Sequence, residues 1–389
     1  MGDTLATNSL YSSIYSLISN HLGDEWSWLA YFVAGFSIIL LITNTTLLLG
    51  TLYTWFERRL LGRFQGRLGP NRAGPFGILQ PIADAIKLLT KEDIIANGAD
   101  KVVFTIAPVL MLAPTLLVLA VIPFGENSWL VNINVAVLYI AAVSSISTIS
   151  VMMAGYASNN PFSLFGSMRA IAMLVSYEIP LVMSLLGITV LAQSMSTIDI
   201  VEAQSIPFLL VTPLGAFIFL TAISAELNRA PFDVTEAESE LVSGYMTEYS
   251  GMKYGIFMLA EFTNTVVAGA IFAVLFLQGW QWAILPSYIW FLVKIGLFVF
   301  VAIWIRATLP RYRLDQILAI AWKYLFPLSL LNVLLLAIEV ILWPNRGTNE
   351  LIIMSLINWG LTIPAALIWS KFISLKSVPP SQVYMREKS

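Results

Sequence analysis

The sequence predicts an all-α polytopic membrane protein with about nine transmembrane helices, and three observations predict it. Of 389 residues, 58% are hydrophobic and 11% charged, with a mean hydropathy of +0.80, far from the composition of a soluble domain. Apolar runs long enough to cross a bilayer fall at 29–56, 102–123, 133–156, 169–194, 207–225, 254–278, 286–307, 317–343 and 350–370. The basic residues also alternate in side. With the N-terminus outside, the inside segments 57–101, 157–169, 226–253, 306–316 and 371–389 hold eight, one, two, three and four Lys or Arg, while the outside segments hold only Arg346. That asymmetry obeys the positive-inside rule, which puts the N-terminus outside and the C-terminus inside.

Taken in order, residues 1–28 form an N-terminal segment without the basic head and apolar core of a cleaved signal peptide. Residues 29–370 form a single helical membrane domain, and 371–389 a basic C-terminal tail. After the first span, Ile82, Ala85, Ile86 and Leu89 recur at helical spacing opposite Asp84, Lys87 and Lys91, which predicts an amphipathic interfacial helix on the inner side. A second stripe of Leu241, Val242, Tyr245, Met246 and Tyr249, beside Glu240, Ser243 and Glu248, predicts another. The two either shape one cavity at membrane level or simply lie on the bilayer surface. Pro108, Pro114, Pro180 and Pro213 fall inside spans, where each removes a backbone hydrogen bond and bends the helix.

Composition also excludes chemistry. With no Cys, thiolate zinc, iron–sulfur clusters and disulfides have no ligands here. A single His, His21, cannot build a His-based metal or haem site, so no metal site is expected. Any redox centre must lie on a partner or be a diffusible molecule, and a net charge of −2 gives no reason to expect nucleic acid.

The charges that remain are concentrated. Glu226, Asp233, Glu236, Glu238, Glu240 and Glu248 share one inner loop, 226–253, with only Arg229 and Lys253. Below it, Glu178 stands nine residues past Arg169, about 13 Å into the membrane, and Glu261 stands eight past Lys253, about 12 Å deep. An ionised carboxylate in hydrocarbon costs roughly 2.5 to 3.5 kcal/mol on insertion scales. Glu178 and Glu261 must therefore face protein or water. The string of acids reads as a proton path; the competing reading is hydrogen-bonded carboxylic acids that only tie helices together. Lys294 and Glu339 are further charged residues within spans.

Several motifs resemble those of a known family. Glu57-Arg58-Arg59, Gly69-Pro70-Asn71-Arg72-Ala73-Gly74-Pro75 and Gln80-Pro81-Ile82-Ala83-Asp84-Ala85-Ile86-Lys87-Leu88 are similar to subunit 1 (the bacterial H subunit) of proton-pumping NADH:quinone oxidoreductase, respiratory complex I. So are Glu226-Leu227-Asn228-Arg229-Ala230-Pro231-Phe232-Asp233, Glu238 to Gly244, Met258 to Asn264, and Trp304-Ile305-Arg306 to Asp315-Gln316. The matches run in order from about residue 50 to 330 and fade before residue 29 and after about 343. The ninth span resembles longer bacterial versions, which implies a bacterial plasma membrane rather than a mitochondrial inner membrane.

The resemblance implies a subunit that binds no cofactor, is not catalytic alone, and forms much of a quinone chamber with two hydrophilic-arm subunits. Flavin and iron–sulfur clusters would sit on partners; other partners would be small membrane-arm subunits and lipid. By match of position, Glu57, Arg58, Asp84, Lys87, Arg229, Phe257 and Met258 would line the chamber or its entrance. Arg67, Arg72, Arg229, Arg306, Arg311 and Arg313 would face the loop carboxylates or docked subunits. Glu178, Glu226, Asp233, Glu236, Glu238, Glu240, Glu248 and Glu261 would couple quinone chemistry to proton translocation. Ala154 to Asn160 and Ser196 to Ile200 are patches shared with ferredoxin-dependent photosynthetic relatives, which typically lack a Glu where Glu261 stands, and this points to the respiratory type. Two other classes remain open: the membrane anchor subunit of an energy-converting hydrogenase, and a stand-alone secondary transporter.

Overall fold

Local sequence sets where each helix starts and stops. A computed structural model describes residues 9–22, 27–234, 243–282, 284–344 and 347–374, and no β-strand occurs among them. α1 (Ser9–Leu22) precedes α2 (Ser27–Phe64). At 38 residues, α2 is about 57 Å long, nearly twice the thickness of the hydrocarbon core. It therefore outruns the expected 29–56 span and carries Glu57, Arg58 and Arg59 on its C-terminal extension. α1 was not expected inside the N-terminal segment; it is held by aromatic contacts, with Tyr11 5.9 Å from Tyr15 and 5.6 Å from Tyr31 of α2, centroid to centroid.

α3 (Gln80–Thr90) is the first amphipathic helix, opened by Pro81 in its first turn, where the missing N–H costs nothing. α4 (Lys101–Val118) starts at Asp100, whose side chain accepts from the Val102 N–H. It passes through Pro108 and Pro114 before ending in a 3₁₀ turn, Leu119–Val121. α5 (Ala136–Ala157) follows, with Ser150 donating across to the Ala107 carbonyl beside Pro108. α6 (Pro161–Ala192) is capped by Asn160 and ends at Gln193 in left-handed conformation.

The fifth expected span is broken. After α7 (Thr197–Ala203), the short α8 (Phe208–Val211) stops at Thr212, and α9 (Pro213–Glu226) begins on Pro213. Pro213 was expected to bend a continuous helix; its fixed φ and missing N–H instead suit the first position of a new one. α10 (Gly251–Phe276) is the central helix, with Thr263 and every residue from Thr265 to Phe276 buried. Ala268, Gly269, Ala270 and Ala273 let neighbours approach closely. α11 (Ser287–Thr308) packs on it. α12 (Leu314–Ile320) runs through a π turn, Ala321–Leu325, into α13 (Phe326–Leu342), where Pro327 removes one backbone donor. α14 (Thr348–Ser374) is the last described helix.

Among the described residues seven helical stretches are long and apolar enough to cross a membrane: Trp28–Phe64, Lys101–Val121, Ala136–Ala157, Pro161–Ala192, Gly251–Phe276, Ser287–Thr308 and Leu314–Leu342. α9 is apolar but has only 14 residues.

The second amphipathic helix is not formed by the described part of its segment. Leu241 and Val242 lie outside the described residues, and Gly244–Met246 is a single 3₁₀ turn. Tyr245, Met246 and Tyr249 are buried in a core cluster with Phe104, Leu174 and Phe257, so the apolar stripe faces protein rather than lipid. The turn seats on α6 at Gly166: a Cβ there would stand 2.7 Å from the Gly244 Cα. Gly166→Ala should therefore cost about 1–3 kcal/mol by overpacking, read as a lower thermal midpoint of the assembled protein. Gly296→Ala, whose added Cβ meets nothing within 4 Å, should leave the midpoint where it is.

Candidate functional site

Where α2 runs past its apolar span, a buried carboxylate holds two arginines. Glu57, 3% exposed, accepts from Arg229 Nη1 at 3.1 and 3.3 Å through both oxygens, and also from Arg306. Arg229 additionally lies over the rings of Phe262, at 4.7 Å, and Tyr53, at 5.6 Å. α2, the chain after α9, α10 and α11 thus meet at one charge cluster. Beside it, Arg311 pairs with buried Asp233 at 2.8 Å, and the Tyr312 N–H donates to the Pro231 carbonyl. This hydrogen-bonds the first described residues of the acidic loop to the segment before α12.

The intramembrane carboxylates have polar partners too. Ser145 of α5 donates to Glu178 at 2.5 Å. Glu226 stands at the end of α9. It lines a cavity of ≈ 30 Å³ together with Thr115, Ser144, Ser147 and Asn264, space for about two waters. The Tyr245 hydroxyl donates to Glu261 at 3.0 Å, so the described end of the loop touches the carboxylate beneath it. Asn160 donates to Glu248 at 2.6 Å. Burial pushes the Tyr249 hydroxyl up from its ordinary range, which keeps it neutral.

On the exposed surface beside α3, Arg58 pairs with Asp84 of α3 at 2.7 Å, Gln80 donates to the other Asp84 oxygen, and Lys87 stands 3.9 Å away. Arg59 donates to the Phe76 carbonyl and stacks on Phe76 and Trp55. The apolar residues of α3, Ile82, Ile86 and Leu89, remain exposed.

Several expected site residues are placed differently from one another. Phe257 is 0% exposed; it meets Tyr245 and Tyr249 edge-on while Tyr249 stacks on Phe104 at 3.9 Å. Met258 packs half-buried on that cluster. These two therefore pack in a core cluster that contains neither Glu57 nor Arg58. Arg229 and Arg306 meet Glu57 of α2 rather than the described loop carboxylates. Arg67 donates to Gln65, and Arg67, Arg72 and Arg313 are exposed. Glu236, Glu238 and Glu240 lie outside the described residues. Lys294 donates to the Gly279 and Gln281 carbonyls, a loop-binding role.

Residues that sequence reasoning missed are the neutral partners: Ser145, Tyr245, Asn160 and the rings under Arg229. Only depth gave a hint, since an intramembrane carboxylate requires a donor on some other helix.

These contacts join through one turn of α10. Glu261 meets the loop, Phe262 meets Arg229, and Asn264 lines the Glu226 cavity. A sequence model of the family described as NADH dehydrogenase matches residues 36–337. The NADH-quinone oxidoreductase H subunit of Dehalococcoides mccartyi (strain CBDB1) is 52% identical over 324 residues, 83% of this chain and 91% of that protein. The chain belongs to the family of NADH-quinone oxidoreductase H subunits. Within that family, the H subunit of Brevibacillus brevis is 48% identical over 292 residues (74% of this chain, 87% of the relative). An H subunit of Syntrophobacter fumaroxidans is 43% identical over 330 residues (82% and 99%). The matched range holds the Glu57 cluster, Glu178, Glu226, Glu261 and the α3 surface.

Removing one member of a buried ion pair leaves the others uncompensated and costs about 3–5 kcal/mol. Glu57→Gln should lower the unfolding midpoint accordingly and reduce assembly, whereas Arg67→Ala on the exposed surface should leave the unfolding midpoint unchanged. Thermal unfolding of the two variants side by side checks this.

Proposed function

We propose that this chain is the membrane subunit of an NADH:quinone oxidoreductase that forms much of the quinone chamber and couples quinone reduction to proton movement through its carboxylates. The observation that carries the reading is the single turn of α10, Glu261 to Asn264, which touches the loop, the Glu57–Arg229 cluster and the Glu226 cavity at once. Reducing a quinone to a quinol takes up two protons. Groups that gain or lose charge with that uptake can shift neighbours held in the same low-dielectric region.

In this reading nine spans cross the membrane: the seven long apolar helices, the broken α8–α9 and α14. The N-terminus is outside, and the acidic loop and basic tail are inside. Residues 29–370 act as one membrane domain in a bacterial plasma membrane. The chamber is bounded by the Arg58–Asp84–Lys87 surface and α3, whose exposed apolar face suits an isoprenoid tail and a docked hydrophilic-arm subunit. Glu57 and Arg229 form its charged floor, Met258 belongs to its wall, and Phe257 backs that wall from inside. Arg67, Arg72 and Arg313 serve as docking charges, Arg311 holds Asp233, and Arg306 holds Glu57. Protons taken up at the chamber move among Asp233, Glu236, Glu238, Glu240, Glu248 and Glu261 toward Glu226 and Glu178. Quinone is the substrate, and electrons arrive from iron–sulfur and flavin groups on partner subunits. The subunit does no chemistry alone.

Glu178→Gln or Glu240→Gln in the assembled complex should slow quinone-linked proton pumping by about 100-fold, the scale of a lost proton-transfer group. NADH oxidation by an artificial acceptor should survive. Unchanged pumping in both variants would sink the relay. Arg58→Ala should raise the apparent quinone KM about two- to fivefold, the scale of an exposed ion pair, with little change in assembly. Normal quinone kinetics in a poorly assembled complex would assign Arg58 a structural role.

A further inference from the structure

The end of the bundle far from the acidic loop holds a carboxyl outside the chain of acids from Asp233 to Glu178. Glu339 of α13 is 4% exposed. Its Oε2 accepts from Asn358 of α14 at 3.0 Å, and its Oε1 has no hydrogen-bond partner among the described residues. No basic side chain among them pairs with it. It lies 25 residues beyond Leu314, about 37 Å along the helix axis, and beyond residue 337, where the family match ends.

Two further features converge there. The buried stripe of α13 is Ser329, Asn332, Leu336 and Glu339; three of four are polar, on a helix whose other faces are apolar and exposed. Asn332 sits in a notch between α6 and α9, where a Cβ on Gly187 or Gly215 would come within 3.1 Å of its amide nitrogen. The chain is also broken beside it. At Thr212 the carbonyls of Leu210 and Val211 receive Ser355, Trp359 and Asn358 of α14 rather than helical donors alone. Asn358 thus bridges the break and the carboxyl.

We infer that Glu339 is a protonation site in the outer half of the membrane, the far end of a polar seam along α13. Protons leaving Glu178 and Glu226 would reach the outer surface through it. A proton bonds to a Glu339 oxygen when the inner acids discharge and leaves for the outer surface when they reload, so no net bond or charge is created. A helix tie alone needs only the Asn358 bond; a transfer site also needs an oxygen open to a proton, and Oε1 has no hydrogen-bond partner among the described residues. This step rests on the proton-coupling reading and on the proposed orientation.

The test uses the assembled complex in vesicles. Glu339→Gln keeps a carbonyl for Asn358, and Asn358→Leu removes the tie but keeps the carboxyl. In Glu339→Gln the number of protons released outside per electron should fall. The reduced-minus-oxidised infrared difference spectrum should lose a carboxyl band that Asn358→Leu merely shifts. An unchanged proton-to-electron ratio, whatever the turnover, overturns the proposal, as does a spectrum in which no band is lost. If Glu339→Gln does not assemble, the spectrum of Asn358→Leu decides: an unshifted carboxyl band overturns the assignment. Pumping lost in Glu178→Gln but intact in Glu339→Gln overturns this site alone, whereas pumping intact in both overturns the inner relay as well.

Discussion

Much of this structure depends on two arginines converging on one buried carboxylate. Glu57 sits on a helix too long for the bilayer, and Arg229 and Arg306 come from segments 172 and 249 residues away. A charge so placed is costly without counter-charge, so α2, the connection after α9 and α11 must close together around it. That closure orders the first residues of the acidic loop, because Asp233 and Pro231 are then held by Arg311 and the Tyr312 N–H.

The central helix turns this closure into communication. Its buried half is filled by small and apolar residues, and the one turn between Glu261 and Asn264 faces three polar neighbourhoods in succession. Tyr245 descends from the loop to Glu261, so loop and intramembrane carboxylate share a hydrogen bond instead of merely facing one another. A change of charge or position at the loop alters the environment of Glu261 directly and that of Arg229 through the next residue.

Elsewhere the bundle offsets irregular backbone with side-chain hydrogen bonds. Gln204 donates to the Val274 and Leu275 carbonyls and accepts from the Gln278 N–H, while Lys294 closes the carbonyls of Gly279 and Gln281. α14 does the same for the break at Thr212. Helix breaks within a membrane are tolerable only when such donors are supplied.

The sequence by itself determined the helical membrane class, the long apolar spans, the amphipathic α3 with Asp84 opposite its apolar face, the position of Glu178 and Glu261 within long apolar helices, and the family. These follow from hydropathy, helical period and contiguous motifs, all local properties of the chain. Tertiary structure alone decided the partners. Nothing local joins Glu57 to Arg306, Ser145 to Glu178 or Asn358 to Glu339, because burial makes those pairings obligatory only after distant helices have packed. The Tyr245–Tyr249 stripe stayed open between a cavity wall and the bilayer surface for the same reason: one apolar face has the same period whether it meets lipid or protein. Pro213 was visible as a disruption, yet whether it kinks a helix or starts one depends on which neighbouring helix supplies the missing donors.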